Sequence, residues 1–111
     1  MKLIKNQKKN SKKIFGFYEK PRVSVFRSNK HIYAQIINDN IGITITCASS
    51  IEKMKNKKFK KMDKAMEVGI ILGERIKKCG IKKVVFDRNG YLYHGRIKAL
   101  AEGLRKRGIK F

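Results

Sequence analysis

Residues 63–79 carry a single amphipathic stripe, and its place in the chain constrains the fold more than any other feature. Ala65, Val68, Gly69, Leu72, Ile76 and Cys79 recur at spacings of 3, 1, 3, 4 and 3 residues, the signature of a helix with one apolar face. Asp63 opens it, Lys77 and Lys78 complement the dipole in its last turn, and Gly80 supplies the residue of positive φ that ends it. Three strand-like segments precede this helix. Arg22–Arg27 is rich in β-branched and aromatic residues, and Ser28-Asn29-Lys30 reads as a turn. His31–Ile37 alternates, with Ile32, Ala34 and Ile36 on one side and His31, Tyr33 and Gln35 on the other. Asn38–Gly42 has turn chemistry, and Ile43–Ala48 reads as a third strand. Short connections make these three an antiparallel meander. One strand, Ile81–Asp87, follows the helix, so the helix is a crossover. That strand must run parallel to an earlier one, through a right-handed connection.

The remaining segments complete the order. Val84-Val85-Phe86 is a continuous apolar run, as in a strand covered on both faces. A second helix spans about Gly95 to Arg107, with Ile97, Leu100, Ala101 and Leu104 as its buried stripe and Gly108 as its stop. Ile109-Lys110-Phe111 is expected to tuck back onto the domain. The order β-β-β-α-β-α describes an α/β (mixed α+β) domain, a mixed sheet with packed helices. Gly69 and Gly73 each weaken their helix by ~1 kcal/mol relative to Ala, and close approach of the helix to the sheet is the expected return. At 111 residues there is room for one modest core. The globular domain is assigned to residues 22–111 and a basic arm to residues 1–21. The arm carries seven Lys and one acid, Glu19, and is expected to be disordered alone, or a short helix at most, and to order on an anion.

Charge narrows the function. Lys plus Arg is 29 against 8 for Asp plus Glu, a net charge of +21 with a pI near 10.3. Self-repulsion on that scale calls for a polyanion, with nucleic acid ahead of an anionic membrane surface. No apolar run approaches the ~20 residues of a spanning helix. The N-terminus lacks the apolar block of a secretory signal, and a transit peptide would favour Arg and Ser over the Lys found here. Of the cations, 22 are Lys and 7 are Arg. Lys suits bulk neutralisation of phosphate, so the few Arg are the candidates for defined contacts. The segment Lys53 to Lys61 holds six Lys and reads equally as a solvated loop or a second phosphate-contacting segment. Cys47 and Cys79 have no metal-ligand spacing and read as small core residues in a reducing compartment.

The residues suited to RNA crowd into Val84–Lys98. Arg88, Tyr91, Tyr93, His94 and Arg96 combine cations with rings that stack on bases or riboses. One of the two tyrosines is expected in the core and one exposed. His94 either bonds within its own loop or meets RNA. Arg27, with the turn Ser28-Asn29-Lys30-His31, adds donors at another strand end. A nuclease of the ribonuclease H type is the enzymatic alternative, since it holds two metals with carboxylates at strand ends. Asp87 stands at such an end, but Val23–Arg27 carries no carboxylate, and Asp87 alone cannot hold two metals. His31 and His94 lack ligand spacing, and no phosphate-binding glycine motif occurs. No enzymatic activity, cofactor, metal or small-molecule substrate is expected.

Three stretches carry a resemblance. Val25-Phe26-Arg27-Ser28-Asn29-Lys30-His31-Ile32-Tyr33-Ala34-Gln35, then Ala48-Ser49-Ser50 with Glu52-Lys53, then Phe86-Asp87-Arg88-Asn89-Gly90-Tyr91-Leu92-Tyr93-His94-Gly95-Arg96-Ile97-Lys98-Ala99-Leu100-Ala101 strongly resemble the bacterial-type ribosomal protein L-eighteen family. The likeness runs over residues 22–111. It implies a ribonuclease H-like sheet of order 3-2-1-4 without nuclease function. It also implies binding to 5S rRNA and its attachment to 23S rRNA in the central protuberance of the large subunit, beside ribosomal protein L-five. The setting implied is the cytoplasmic ribosome of a bacterium or the ribosome of a plastid-type organelle. The RNA contacts implied are Arg27, Ser28, Asn29, Lys30, His31 and Tyr33, with Arg88, Tyr91, Tyr93, His94, Gly95 and Arg96. To these the charge pattern adds Lys8, Lys9, Lys12 and Lys13 of the arm, Arg22 and Lys98. The arm is Lys-rich where the family commonly uses Arg, and Lys53 to Lys61 is richer in Lys than the family pattern.

Overall fold

In a computed structural model of the chain, the structure describes Gly16, residues 19–51 and residues 60–111. Six elements follow in the expected order: β1 (Arg22–Arg27), β2 (Ile32–Asn38), β3 (Ile43–Ser49), α1 (Lys61–Lys78), β4 (Val85–Asp87) and α2 (Arg96–Lys106). The strands form one sheet in the order β3-β2-β1-β4. β1–β2 and β2–β3 are antiparallel, while β4 joins β1 in parallel, Arg22 opposite Val85 and Ser24 opposite Asp87. The crossover helix therefore does what its position in the sequence requires.

Strand alternation decides which face is covered. Val23 and Val25 stand opposite Ile36 and Ala34 in register. All four are fully buried and share one core with Ala65, Val68, Leu72 and Ile76 of α1 and Ile97, Leu100 and Leu104 of α2. Period-2 burial on the strands meets period-3.6 burial on the helices, and both helices cover the same sheet face.

The two helices approach each other closely. A Cβ on Gly69 would collide with the Leu100 carbonyl oxygen and stand 3.1 Å from the Gly103 Cα. One on Gly103 would collide with the Met66 carbonyl oxygen and stand 3.0 Å from the Gly69 Cα. Gly69 thus serves a helix–helix crossing with Gly103, where the periodicity pointed to a sheet. Helical spacing reports a packed face but not what packs on it.

Three other expectations need correction. β4 has only three residues: residues 81–84 lie outside the sheet, and just before Val84 the chain meets the C-terminal tail through an isolated parallel bridge between Lys83 and Lys110. Val84 is fully buried, but Val85 and Phe86 are half-buried, because β4 is an edge strand and Val85 shares the helix-free face with Arg22. Cys47 and Cys79 are both exposed. Cys47 sits opposite Gln35 on the helix-free face, and Cys79 caps α1 at its open end.

Both helices end in the same way. Gly80 N–H donates to the Lys77 carbonyl and Ile81 N–H to the Ile76 carbonyl; Gly108 and Ile109 repeat the pattern with Arg105 and Leu104. These paired bonds need positive φ at the glycines, and Gly80 and Gly108 have φ of 81° and 87°. The second motif aims the tail at the core as expected. Ile109 is buried, and the Phe111 ring stacks on Phe86 with centroids 5.3 Å apart.

Candidate nucleic-acid interface

Because β1 and β4 are parallel, their C-terminal ends and the loops that follow emerge at one end of the sheet. The two segments singled out in the sequence, residues 27–33 and 88–98, are thereby neighbours. Each loop is first ordered internally. In the β1–β2 turn, Ser28 N–H donates to the His31 carbonyl (2.8 Å), and His31 N–H donates to Ser28 Oγ (3.2 Å). This leaves Asn29 and Lys30 exposed at the tip. After β4, Asp87 Oδ1 accepts from Asn89 N–H at 2.9 Å, and Tyr91 N–H donates to the Arg88 carbonyl at 2.9 Å. Asn89 and Gly90 both take positive φ, 51° and 84°. Asn and Gly accept that backbone at least cost, so an Asn-Gly pair is the natural residue choice for this turn.

Side chains then tie one loop to the other. Asn89 Nδ2 donates to Ser24 Oγ (3.0 Å) and the Val25 carbonyl (2.8 Å). The Tyr91 hydroxyl accepts from Arg27 N–H (3.2 Å) and donates to the Arg27 carbonyl (3.3 Å). The Arg27 guanidinium lies over the Tyr91 ring, 5.0 Å from its centroid. Arg96 Nη2 donates to the Ser28 carbonyl at 2.9 Å, fixing the start of α2 to the turn. Arg88 Nη1 donates to the Tyr91 carbonyl. The result is one pre-ordered edge studded with cations, of the kind that contacts a folded RNA without losing loop entropy on binding.

The expected site residues divide clearly. Arg27, Ser28, Asn29, Lys30, Arg88, Tyr93, His94 and Lys98 are exposed, and His31, Tyr33, Tyr91, Gly95 and Arg96 are half-buried. The Tyr91 ring packs on the core while Tyr93 is exposed, which gives the two tyrosines their separate roles. Tyr93 meets Phe86 edge-on and receives a hydrogen bond from Arg105 Nη1 at 3.3 Å. His31 Nδ1 lies 3.2 Å from Ser50 Oγ, which also accepts from Ile32 N–H at 3.0 Å. His94 and Gly95 share a concave surface with Lys98 of α2 and Met62 and Asp63 of α1.

Arg22 has a different use from the one expected. Its Nε and Nη2 donate to the two oxygens of Asp39 (2.9 and 3.0 Å), and its Nη1 donates to Asp87 Oδ2 (2.9 Å). Only 19% of the side chain is accessible. The hydrogen bond to Asp39 raises its pKa most, with Asp87 adding to it, against burial that lowers it. With its fork turned onto two carboxylates it ties the ends of β1, β2 and β4 together. Asp39 also holds Gly16 by a reciprocal pair of bonds (2.7 and 2.9 Å), so the packed domain reaches back to Gly16. Lys8, Lys9, Lys12 and Lys13 lie outside the described residues, as do residues 53–59 of the lysine-rich segment.

Three contributors escaped the sequence reading. Asn89 was legible only as a turn residue, yet its side chain joins loop to strand. Ser50 and Arg105 carry no local signal, since their partners lie 19 and 12 residues away. Among the described residues, no three His, Cys, Asp or Glu side chains gather as metal ligands, and no helix is long and apolar enough to cross a membrane.

Comparison with known proteins places this edge in context. Residues 2–111 match the family described as ribosomal L18 of archaea, bacteria, mitochondria and chloroplast. The chain is 57% identical over 106 residues to the large ribosomal subunit protein uL18 of Aster yellows phytoplasma, covering 90% of this chain and 93% of that one. It is 52% identical over 111 residues to the uL18 of Thermotoga neapolitana (97% and 91% covered). To the uL18 of Lactobacillus johnsonii it is 52% identical over 108 residues, with the same coverage.

Proposed function

The chain belongs to the ribosomal L18 family, as a large-subunit ribosomal protein and not an enzyme, and from that premise we propose that it binds 5S rRNA through the edge formed by residues 27–33 and 88–98. In this reading it helps attach 5S rRNA to 23S rRNA in the central protuberance, next to ribosomal protein L-five, on a bacterial cytoplasmic ribosome. The observation that carries the proposal is the tie between the two loops, Arg96 to the Ser28 carbonyl at 2.9 Å and Tyr91 to both backbone atoms of Arg27. Two segments, joined by bonds that span 64 and 68 residues, are held as one surface before any RNA arrives.

Within that surface the roles follow from chemistry. Asn29 and Lys30 at the turn tip and Lys98 on the first turn of α2 meet phosphates. Arg88 and Arg96 present forks whose remaining N–H groups point away from the backbone atoms they hold. His94 and Tyr93 offer exposed rings for stacking. Lys8, Lys9, Lys12 and Lys13 add phosphate contacts from the arm. The test is capture from total bacterial RNA, followed by sizing. A dominant species of the length of 5S rRNA supports the reading; transfer RNA or an unselected mixture overturns it.

A further inference from the structure

One chain of hydrogen bonds crosses the sheet from the root of the basic arm to the loop edge. It starts at Gly16, which is buried. Gly16 N–H donates to Asp39 Oδ2 at 2.7 Å, and the Gly16 carbonyl accepts from Asp39 N–H at 2.9 Å. A Cβ at this position would collide with the Arg22 backbone nitrogen and stand 2.6 Å from the Arg22 Cβ, so only glycine fits the seat. Asp39 in turn receives Arg22 Nε and Nη2, and Arg22 Nη1 reaches Asp87. Asp87 holds the Asn89 amide, and the Asn89 side chain grips Ser24 Oγ and the Val25 carbonyl. The short β4 makes this span possible. Arg22 opens β1 and Asp87 closes β4, yet Asp87 stands opposite Ser24 in register, only ~7 Å along the sheet at 3.3 Å per residue.

Holding the strands together does not explain the network. Arg22 already stands in the backbone ladders opposite Ile37 of β2 and Val85 of β4. One carboxylate would neutralise it, and two leave the group with a net negative charge where the Arg22, Asp39 and Asp87 side chains are only 19%, 17% and 14% accessible. Charges buried to that depth add little stability over apolar packing of the same volume, but they do fix geometry. The chain has only 8 acidic residues, and two of them are placed here. What the network joins, and the ladders do not, is its two ends. Gly16 bonds to Asp39, and Asn89 to Asp87, Ser24 and Val25, with no partner shared among the described residues. Arg22 is the link between them.

We propose that Arg22 is a positioning residue that couples the basic arm to the loop edge. Seating Gly16 on Asp39 aims Arg22, Arg22 aims Asp87, and Asp87 holds the turn at Asn89 that presents the edge. Gly16 follows closely on Lys12 and Lys13 in the chain, so RNA contacts of the arm and of the edge reinforce each other through the protein. The proposal rests on RNA binding at the loop edge, and its test separates the two. In the free full chain, Gly16→Ala should speed hydrogen exchange of the Asn89 amide about fivefold, the low end of coupling between distinct sites. The Leu72 amide of α1 should not change. An unchanged Asn89 amide, or both amides moving alike as in global destabilisation, overturns the proposal. Titration with 5S rRNA then closes a cycle of Gly16→Ala with Asn89→Gly, which keeps the positive φ. The double change should lose about fivefold less affinity than the product of the two single losses. With Arg22→Lys, which keeps the charge but cannot fork onto two carboxylates, that product should hold within about twofold, as for independent sites. A product that holds with Arg22 in place, or a coupling that survives Arg22→Lys, overturns the proposal. Where Gly16→Ala does not fold, Asp39→Asn takes its place in both measurements, since it weakens the same junction without an added atom. A wild-type chain that does not select 5S rRNA overturns the loop-edge reading instead, and the exchange measurement on the free chain still decides the coupling.

Discussion

Asp87 is the single carboxylate on which the loop edge depends, and its removal can be worked through. Oδ1 accepts from Asn89 N–H at 2.9 Å, and Oδ2 accepts from Arg22 Nη1 at 2.9 Å. Losing the first leaves the turn without its cap, a loss of about 1 kcal/mol. Losing the second removes a charge-assisted bond in a place where only 14% of the Asp87 side chain is accessible. Such bonds are worth about 1.5–3 kcal/mol, and the lower end applies because Asp39 still neutralises Arg22. Asp87→Ala should therefore destabilise the domain by about 2.5 kcal/mol, which at roughly 4 °C per kcal/mol lowers the melting temperature by roughly 10 °C. Asp87→Asn keeps one acceptor oxygen, for Asn89 N–H, and turns its amide nitrogen toward Arg22, so it loses the charge-assisted bond alone and about 1.5 kcal/mol is expected. Thermal unfolding by circular dichroism measures both. Below the transition, 5S rRNA affinity should fall about tenfold for Asp87→Ala, because the loop must then be ordered during binding. An Asp87→Ala chain that melts with the wild type, or Ala and Asn variants that behave alike, would refute the reasoning.

Arg96→Ala should weaken 5S rRNA binding by ~1–3 kcal/mol, and Arg96→Lys should recover less than half of that, as gel-shift titration can measure; full recovery by Lys would reduce Arg96 to a bare charge. Gly103→Ala gains ~1 kcal/mol of helix propensity but drives a methyl into the Met66 carbonyl and the Gly69 backbone, so urea unfolding should show a net loss of about 1–3 kcal/mol; a higher midpoint would mean the helices can separate freely. Lys30→Ala should reduce the log–log salt slope of 5S rRNA binding by roughly 0.7–0.9 with little change in stability, and an unchanged slope would remove Lys30 from the phosphate contacts.

Much of the fold could be read from periodicity because burial and period coincide in this chain. Ile32, Ala34 and Ile36 alternate as written, the helix stripes are buried as written except at Cys79, and Gly80 and Gly108 end their helices with the expected φ. The misreadings share one cause. Cys47, Gly69 and Val85 each have a local pattern that several surroundings would satisfy. What decides their use is a partner far along the chain: Gly103 lies 34 residues from Gly69, and Arg22 lies 63 from Val85. The loop edge was legible in its residue types, and the parallel pairing that unites its halves followed from the crossover helix. The bonds inside it did not, since a hydrogen bond from Arg96 to the Ser28 carbonyl leaves no trace in spacing.

Those bonds explain why so Lys-rich a chain keeps arginine at this edge. A lysine ammonium can neutralise a phosphate, but it has no fixed plane with which to hold a backbone carbonyl and address RNA at once. Arg96 holds the Ser28 carbonyl through Nη2, and Arg88 holds the Tyr91 carbonyl through Nη1. Each guanidinium has five N–H donors in a rigid fork, so one bond to the protein orients the rest. Arg27 reaches the same end by lying over the Tyr91 ring while its backbone grips the Tyr91 hydroxyl. The lysines of the edge, Lys30 and Lys98, are exposed and have no such anchor, which is the arrangement expected of charges that follow a phosphate wherever it lies. In the proposed 5S rRNA interface, arginine would fix the geometry of recognition and lysine would supply its strength.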